Sequence, residues 1–166
     1  MNYIKAATYG LLMILPIAYS NLTMAGSIIL GKEDGATCVL PLPVLPTTSV
    51  RYNLRRTSTP CDHFNDKVRT ITFREVPSAT EVILSDYEGV GDICTKGTYD
   101  FLVTLKTIKK ITTTVDNIEL DHLAAYGPNQ IIAPGLQMIQ NDTDSHLRDK
   151  LSCVKINISK KPPTTP

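Results

Sequence analysis

One stretch of this chain occurs twice, and it constrains the fold more than any other feature. His63-Phe64-Asn65-Asp66-Lys67-Val68-Arg69-Thr70-Ile71-Thr72-Phe73 returns as His146-Leu147-Arg148-Asp149-Lys150-Leu151-Ser152-Cys153-Val154-Lys155-Ile156. His, Asp and Lys are identical in the two copies. The apolar residues fall in register: Phe64 with Leu147, Val68 with Leu151, Ile71 with Val154, Phe73 with Ile156. A polar turn followed by an alternating apolar pattern, used twice, implies two copies of one supersecondary unit.

The residues around the repeat are of strand type. Val, Ile, Thr and aromatic runs predict strands at 27–30, 49–54, 68–76, 81–86, 99–106, 108–115, 130–133, 136–139 and 151–158. In the last of these, Val154, Ile156 and Ile158 face one way and Lys155, Asn157 and Ser159 the other. Turn residues separate the runs: Pro77-Ser78, Gly89 with Gly91, Gly127-Pro128-Asn129 and Pro134-Gly135. Only 116–125 has a helical pattern, which predicts at most one short helix there. Cys38 to Pro46, punctuated by Pro41, Pro43 and Pro46, predicts an extended edge segment or a long loop. Many short strands at this spacing predict an all-β sandwich with Greek-key connections. The chain divides near Pro77-Ser78 into a first half of 26–76 and a second of 79–159, with a polar, proline-rich tail at 160–166 that is expected to be disordered.

The N-terminus sets an address. Lys5 followed by the apolar run Ala6 to Tyr19 reads as a secretory signal, cleaved after Ser20 or after Ala25. The run is shorter than the roughly 20 apolar residues of a membrane span and contains Gly10 and Pro16. A secreted or periplasmic protein with no stable membrane span is therefore expected. The whole chain has 17 basic and 16 acidic residues, and Lys5 leaves with the signal. A balanced charge argues against nucleic-acid binding, which rests on phosphate neutralisation.

Export also bears on the four cysteines, Cys38, Cys61, Cys94 and Cys153. An even number in an exported chain predicts two disulfides. Three connectivities are open, and spacing alone does not choose among them; two separate halves would pair Cys38 with Cys61 and Cys94 with Cys153. Zinc is the rival reading, and the chain has no CxxC spacing to support it.

The polar turn of the repeat carries a family resemblance. Asn65-Asp66-x-x-Arg69-Thr70 and Arg148-Asp149-x-x-Ser152-Cys153 are similar to the Asn/Asp-Asn/Asp-x-x-Ser/Thr-Ser segment that precedes the last strand of each Greek key in the βγ-crystallin superfamily. The resemblance covers about twelve residues per half. It implies two Greek keys packed as one sandwich, and it implies calcium as a candidate cofactor, with Asn65, Asp66, Asp149 and Ser152 as the ligand residues. Arg69 stands where the first copy would have Ser or Thr, and Arg148 where the second would have Asn or Asp. The residues themselves predict a structural turn in which Asp66 and Asp149 bond to turn backbone N–H groups.

Other polar clusters read as surface. Asn141-Asp142-Thr143-Asp144-Ser145 lacks the glycine and distal glutamate of an EF-hand loop and predicts a plain turn. Asp86, Glu88 and Asp92 around Gly89 and Gly91 read the same way. His63 and His146 share one repeat position, which points to the turn and not to a catalytic pair. No Gly-x-Ser-x-Gly elbow accompanies them. Asn21, Asn141 and Asn157 begin glycosylation sequons.

The expectation is a disulfide-stabilised sandwich that binds a protein or cell-surface partner without catalysis. Secreted members of the superfamily it resembles include toxins, antimicrobial proteins and protease inhibitors. Calcium-stabilised structural protein is the alternative, and a hydrolase using acidic residues a third reading. The run 108–115 is the expected edge for pairing with a partner strand.

Overall fold

The computed structural model describes residues 26–44, 46–57, 60–89, 93–95, 101–143 and 146–159. The expected signal at 1–25 and the expected disordered tail at 160–166 lie outside them. In chain order the strands are β1 (Ser27–Lys32), β2 (Thr37–Pro41), β3 (Ser49–Asn53), β4 (Val68–Arg74), β5 (Val76–Pro77), β6 (Glu81–Ser85) and β7 (Tyr87–Gly89). They continue with β8 (Ile93–Thr95), β9 (Phe101–Thr107), β10 (Ile111–Thr112), β11 (Ile118–Glu119), β12 (Ile131–Ala133), β13 (Leu136–Thr143) and β14 (Cys153–Asn157). A single helical turn, α1 (Leu120–Leu123), follows β11, and a 3-10 turn spans Asp62–Phe64.

Two sheets form an all-β sandwich. One has the order β2-β1-β4-β11, the other β3-β14-β6-β9-β13-β12, and every pairing is antiparallel. The two repeat strands are β4 and β14, and they occupy equivalent places. Each is flanked on one side by a strand of its own half, β1 or β6. On the other side lies a strand borrowed from the other half: β11 beside β4, and β3 beside β14. The halves are thus interlocked.

Period-2 alternation explains the layers. Ile28 and Leu30 of β1, Leu40 of β2, and Ile71 and Phe73 of β4 point inward and are fully buried. From the second sheet come Val82, Leu84, Phe101, Val103, Leu105, Leu136, Met138, Val154 and Ile156, with which they form one core. All eight apolar residues of the repeat belong to it. Burying a Phe or Ile contributes on the order of 2–3 kcal/mol from area removed from water. The repeat is thus first of all a core-building pattern.

The proline-punctuated segment is the extended edge expected there: it forms β2, in which Cys38 and Leu40 alternate inward while Thr37, Val39 and Pro41 face out. Other expectations need correction. The predicted strand 108–115 is reduced to β10. The backbone bends at Lys109 and Lys110, and the hydroxyls of Thr113 and Thr114 accept from the N–H groups of Glu75 and Phe73 where ladder bonds would run. The one short helix expected near 116–125 is present as a single turn, Leu120–Leu123. Asn141, on a distant strand, donates its amide to the carbonyls of Leu123, Ala124 and Tyr126 at 3.1, 3.3 and 2.8 Å and ends it there. Asn141, Asp142 and Thr143 accordingly lie in β13, not in a surface turn.

Two disulfides are present, Cys38–Cys61 and Cys94–Cys153, the pairing expected of two halves. No helix among the described residues is long and apolar enough to cross a membrane.

Candidate functional site

The polar turns of the two copies meet each other. Asp66 and Asp149 both adopt a left-handed backbone, φ 52° and 56°, a conformation that Asp tolerates better than most residues. This turns each chain sharply from the buried Phe64 or Leu147 into its strand. The Asp66 N–H then donates to the Leu151 carbonyl and the Asp149 N–H to the Val68 carbonyl, both at 3.2 Å. Val68 and Leu151 are equivalent positions of the repeat, so these two bonds are related by an approximate two-fold axis.

The side chains obey the same exchange. Ser152, fully buried, donates its hydroxyl to Asp66 Oδ1 at 3.1 Å. Its equivalent in the first copy, Arg69, donates Nε and Nη2 to the two carboxylate oxygens of Asp149 at 3.3 and 3.2 Å. The fourth residue of each turn therefore binds the aspartate of the other turn. The expected bonds from Asp66 and Asp149 carboxylates to turn backbone are replaced by these bonds between copies.

Neighbouring elements complete both corners. Arg55, just after β3, donates Nε to the Ser152 hydroxyl at 3.2 Å and Nη2 to the Asp86 carbonyl at 3.2 Å. A guanidinium thus supports Asp66 through one serine. At the other corner Arg69 Nη1 pairs with Glu33, which sits in the tight β1–β2 turn. Gly35, φ +80°, allows that turn, and the Ala36 N–H bonds Asp34 Oδ1 at 2.9 Å. That bond holds the Asp34 carboxyl below its usual range, with Lys32 adding to the effect. Lys32 itself lies 5.1 Å above the Phe64 ring. The Asp149 hydrogen bond, reinforced by Glu33, raises the Arg69 guanidinium above its ordinary value.

Between these groups lies an open cleft of about 530 Å³ lined by Lys32, Glu33, Asp34, Asp66, Lys67, Arg69 and Asp149. The four residues that resemblance assigned to calcium divide between its corners. Asn65, Asp66 and Ser152 gather at one, and Asp149 stands at the other with Arg69. Asn65 donates its amide nitrogen to Asp66, while its Oδ1 is buried without a hydrogen-bond partner among the described residues. One carboxylate, one amide oxygen and one hydroxyl fall short of the about six to eight oxygens calcium takes. At the Asp149 corner a cation is already in place. No group of three or more His, Cys, Asp or Glu residues suited to a metal occurs among the described residues. As placed here, these four residues do not make a fitting calcium site.

The remaining sequence candidates are scattered. His63 and His146 are exposed, with His63 3.5 Å from Asp62. Asp86 is buried, not on the surface, and accepts from the Phe101 N–H at 3.1 Å. The amide nitrogen of Asn141 is spent on three carbonyls, so that sequon is occupied structurally. Asn157 Oδ1 accepts from Ser49 at 2.8 Å. Asp92, Asp144 and Asn21 lie outside the described residues.

Sequence reasoning missed Glu33 and Arg55. Neither belongs to the repeat, and only the fold brings a hairpin turn and a post-strand arginine to its corners. No family model, no curated protein and no solved structure matches this chain.

Proposed function

We propose that this chain is an exported, non-catalytic binding or effector protein, toxin-, antimicrobial- or inhibitor-like, built as two interlocked Greek keys. One observation carries the reading: the repeat's polar side chains are engaged with each other across the two copies. Asp66, Asp149, Ser152 and Arg69 hold the halves together, which makes the most chemistry-like motif of the sequence a structural lock. Two disulfides, one in each half, suit life outside the reducing cytoplasm and stiffen a scaffold that presents loops to a partner. The strand orders support the Greek-key reading. In each half the last strand returns beside the first while an intermediate strand crosses to the other sheet, a variant of the usual Greek-key return. The same features support similarity to the βγ-crystallin arrangement, with arginine in place of one Ser/Thr.

The test uses oxidised, fluorescently labelled protein titrated against intact cells and a panel of secreted proteases. Saturable binding that disappears on reduction supports the reading. Turnover of esterase, glycosidase or peptidase substrates by the purified chain, lost on substitution of a named carboxylate, would replace it with the hydrolase reading.

A further inference from the structure

We infer that Arg69 is the cation that bridges Glu33 and Asp149 across the cleft, a guanidinium that replaces a divalent metal in joining the β1–β2 turn to the second repeat. The argument starts from equivalence. Arg69 and Ser152 hold the same repeat position, and each reaches the aspartate of the opposite turn. Where the residue is neutral, Asp66 is satisfied by neutral donors, Ser152 and Asn65. Where two carboxylates, Asp149 and Glu33, converge, the position holds the one side chain that brings both a permanent charge and a planar fork of donors. Two carboxylates converging in a cleft repel unless a cation lies between them. Arg69, with four-fifths of its side chain buried, supplies that cation covalently. The fold of this chain is therefore independent of divalent metal, and that independence resides in one residue.

Arg69→Ser, which gives the first copy the residue of the second, is the direct test. Thermal unfolding of the oxidised chain is followed in calcium, in magnesium and in chelator, with calcium titration calorimetry alongside. The wild-type midpoint is expected to be the same in all three solutions. Arg69→Ser is expected to melt several degrees lower in chelator and to recover part of the loss in calcium, since a ligand bound only by the folded state raises its midpoint. Arg69→Lys keeps the charge without the fork. It should melt between the two and stay indifferent to calcium, and it decides the matter if the serine variant does not fold. A wild-type midpoint that rises with calcium would overturn the inference. So would a serine variant as stable as wild type, a folded serine variant indifferent to both metals, or a lysine variant that gains a calcium response.

Discussion

The two copies of the repeat share a backbone and differ in chemistry. Both turns pass through a left-handed aspartate and both donate an N–H to the opposite strand at the same distance. Yet one corner is closed by an arginine between two carboxylates and the other by a serine relayed to Arg55. The main-chain solution is thus separable from the side-chain solution: hydrogen bonds between backbones hold the pseudo-symmetry, and the charges around them are free to diverge.

The comparison breaks most visibly in the core. Phe73→Ala and Ile156→Ala remove fully buried, equivalent side chains from β4 and β14. They should cost about 3–5 and 2–5 kcal/mol respectively in denaturant unfolding. A loss below about 1 kcal/mol at either position would mean that the strands are not equivalent. The disulfides come next. Cys94–Cys153 closes a separation of 59 residues and Cys38–Cys61 one of 23. On loop entropy alone, replacing the first pair by alanines should cost about 4 kcal/mol and the second about 3. The reverse order would show that the first half leans more heavily on its covalent tie.

Smaller effects sharpen the comparison at the corners. Ser152→Ala leaves Asp66 and Arg55 without their shared hydroxyl and should cost about 1–2 kcal/mol, measured the same way. The visiting strands give the last contrast. On β3, Tyr52 donates its hydroxyl to the Pro41 carbonyl at 2.6 Å, tying one sheet to the edge of the other. Burial pushes that hydroxyl above the ordinary tyrosine value of 10.0. Below about pH 10 both states keep the proton, so stability does not depend on it. Above that, the unfolded chain ionises first and stability falls. Tyr52→Phe should lose about 1 kcal/mol at neutral pH and flatten the alkaline limb of the unfolding profile.

What was legible in the sequence was what depends on neighbours a few residues away. The alternation in β4 and β14 was readable because each residue's burial follows from its parity, and the division into halves pointed to the disulfide pairing. The rest depends on distant partners. The Arg69–Asp149 pair spans 80 positions and Ser152–Asp66 spans 86. Nothing local distinguishes an aspartate that caps its own turn from one that serves another. The short helix was legible but its end was not: its pattern continued past Leu123, where a side chain from β13 takes the next carbonyls. In 108–115, threonine's strand preference was read as a strand longer than β10, while its hydroxyl's capacity to replace ladder bonds went unread.

The borrowed strands have a consequence in time. Ser49 on β3 meets Asn157 on β14 across 108 positions, so β3 finds its neighbour only when nearly all of the chain is available. Such non-local pairing is entropically late, since the intervening loop must close before the contact gives anything back. A ribosome releasing this polypeptide from its N-terminus would hold β4 open on one flank until β11 emerged, and β3 without its partner until the final strand did. On the export route proposed for it, that delay keeps the chain threadable while it crosses, and the last strand to emerge completes both the sheet and the second disulfide.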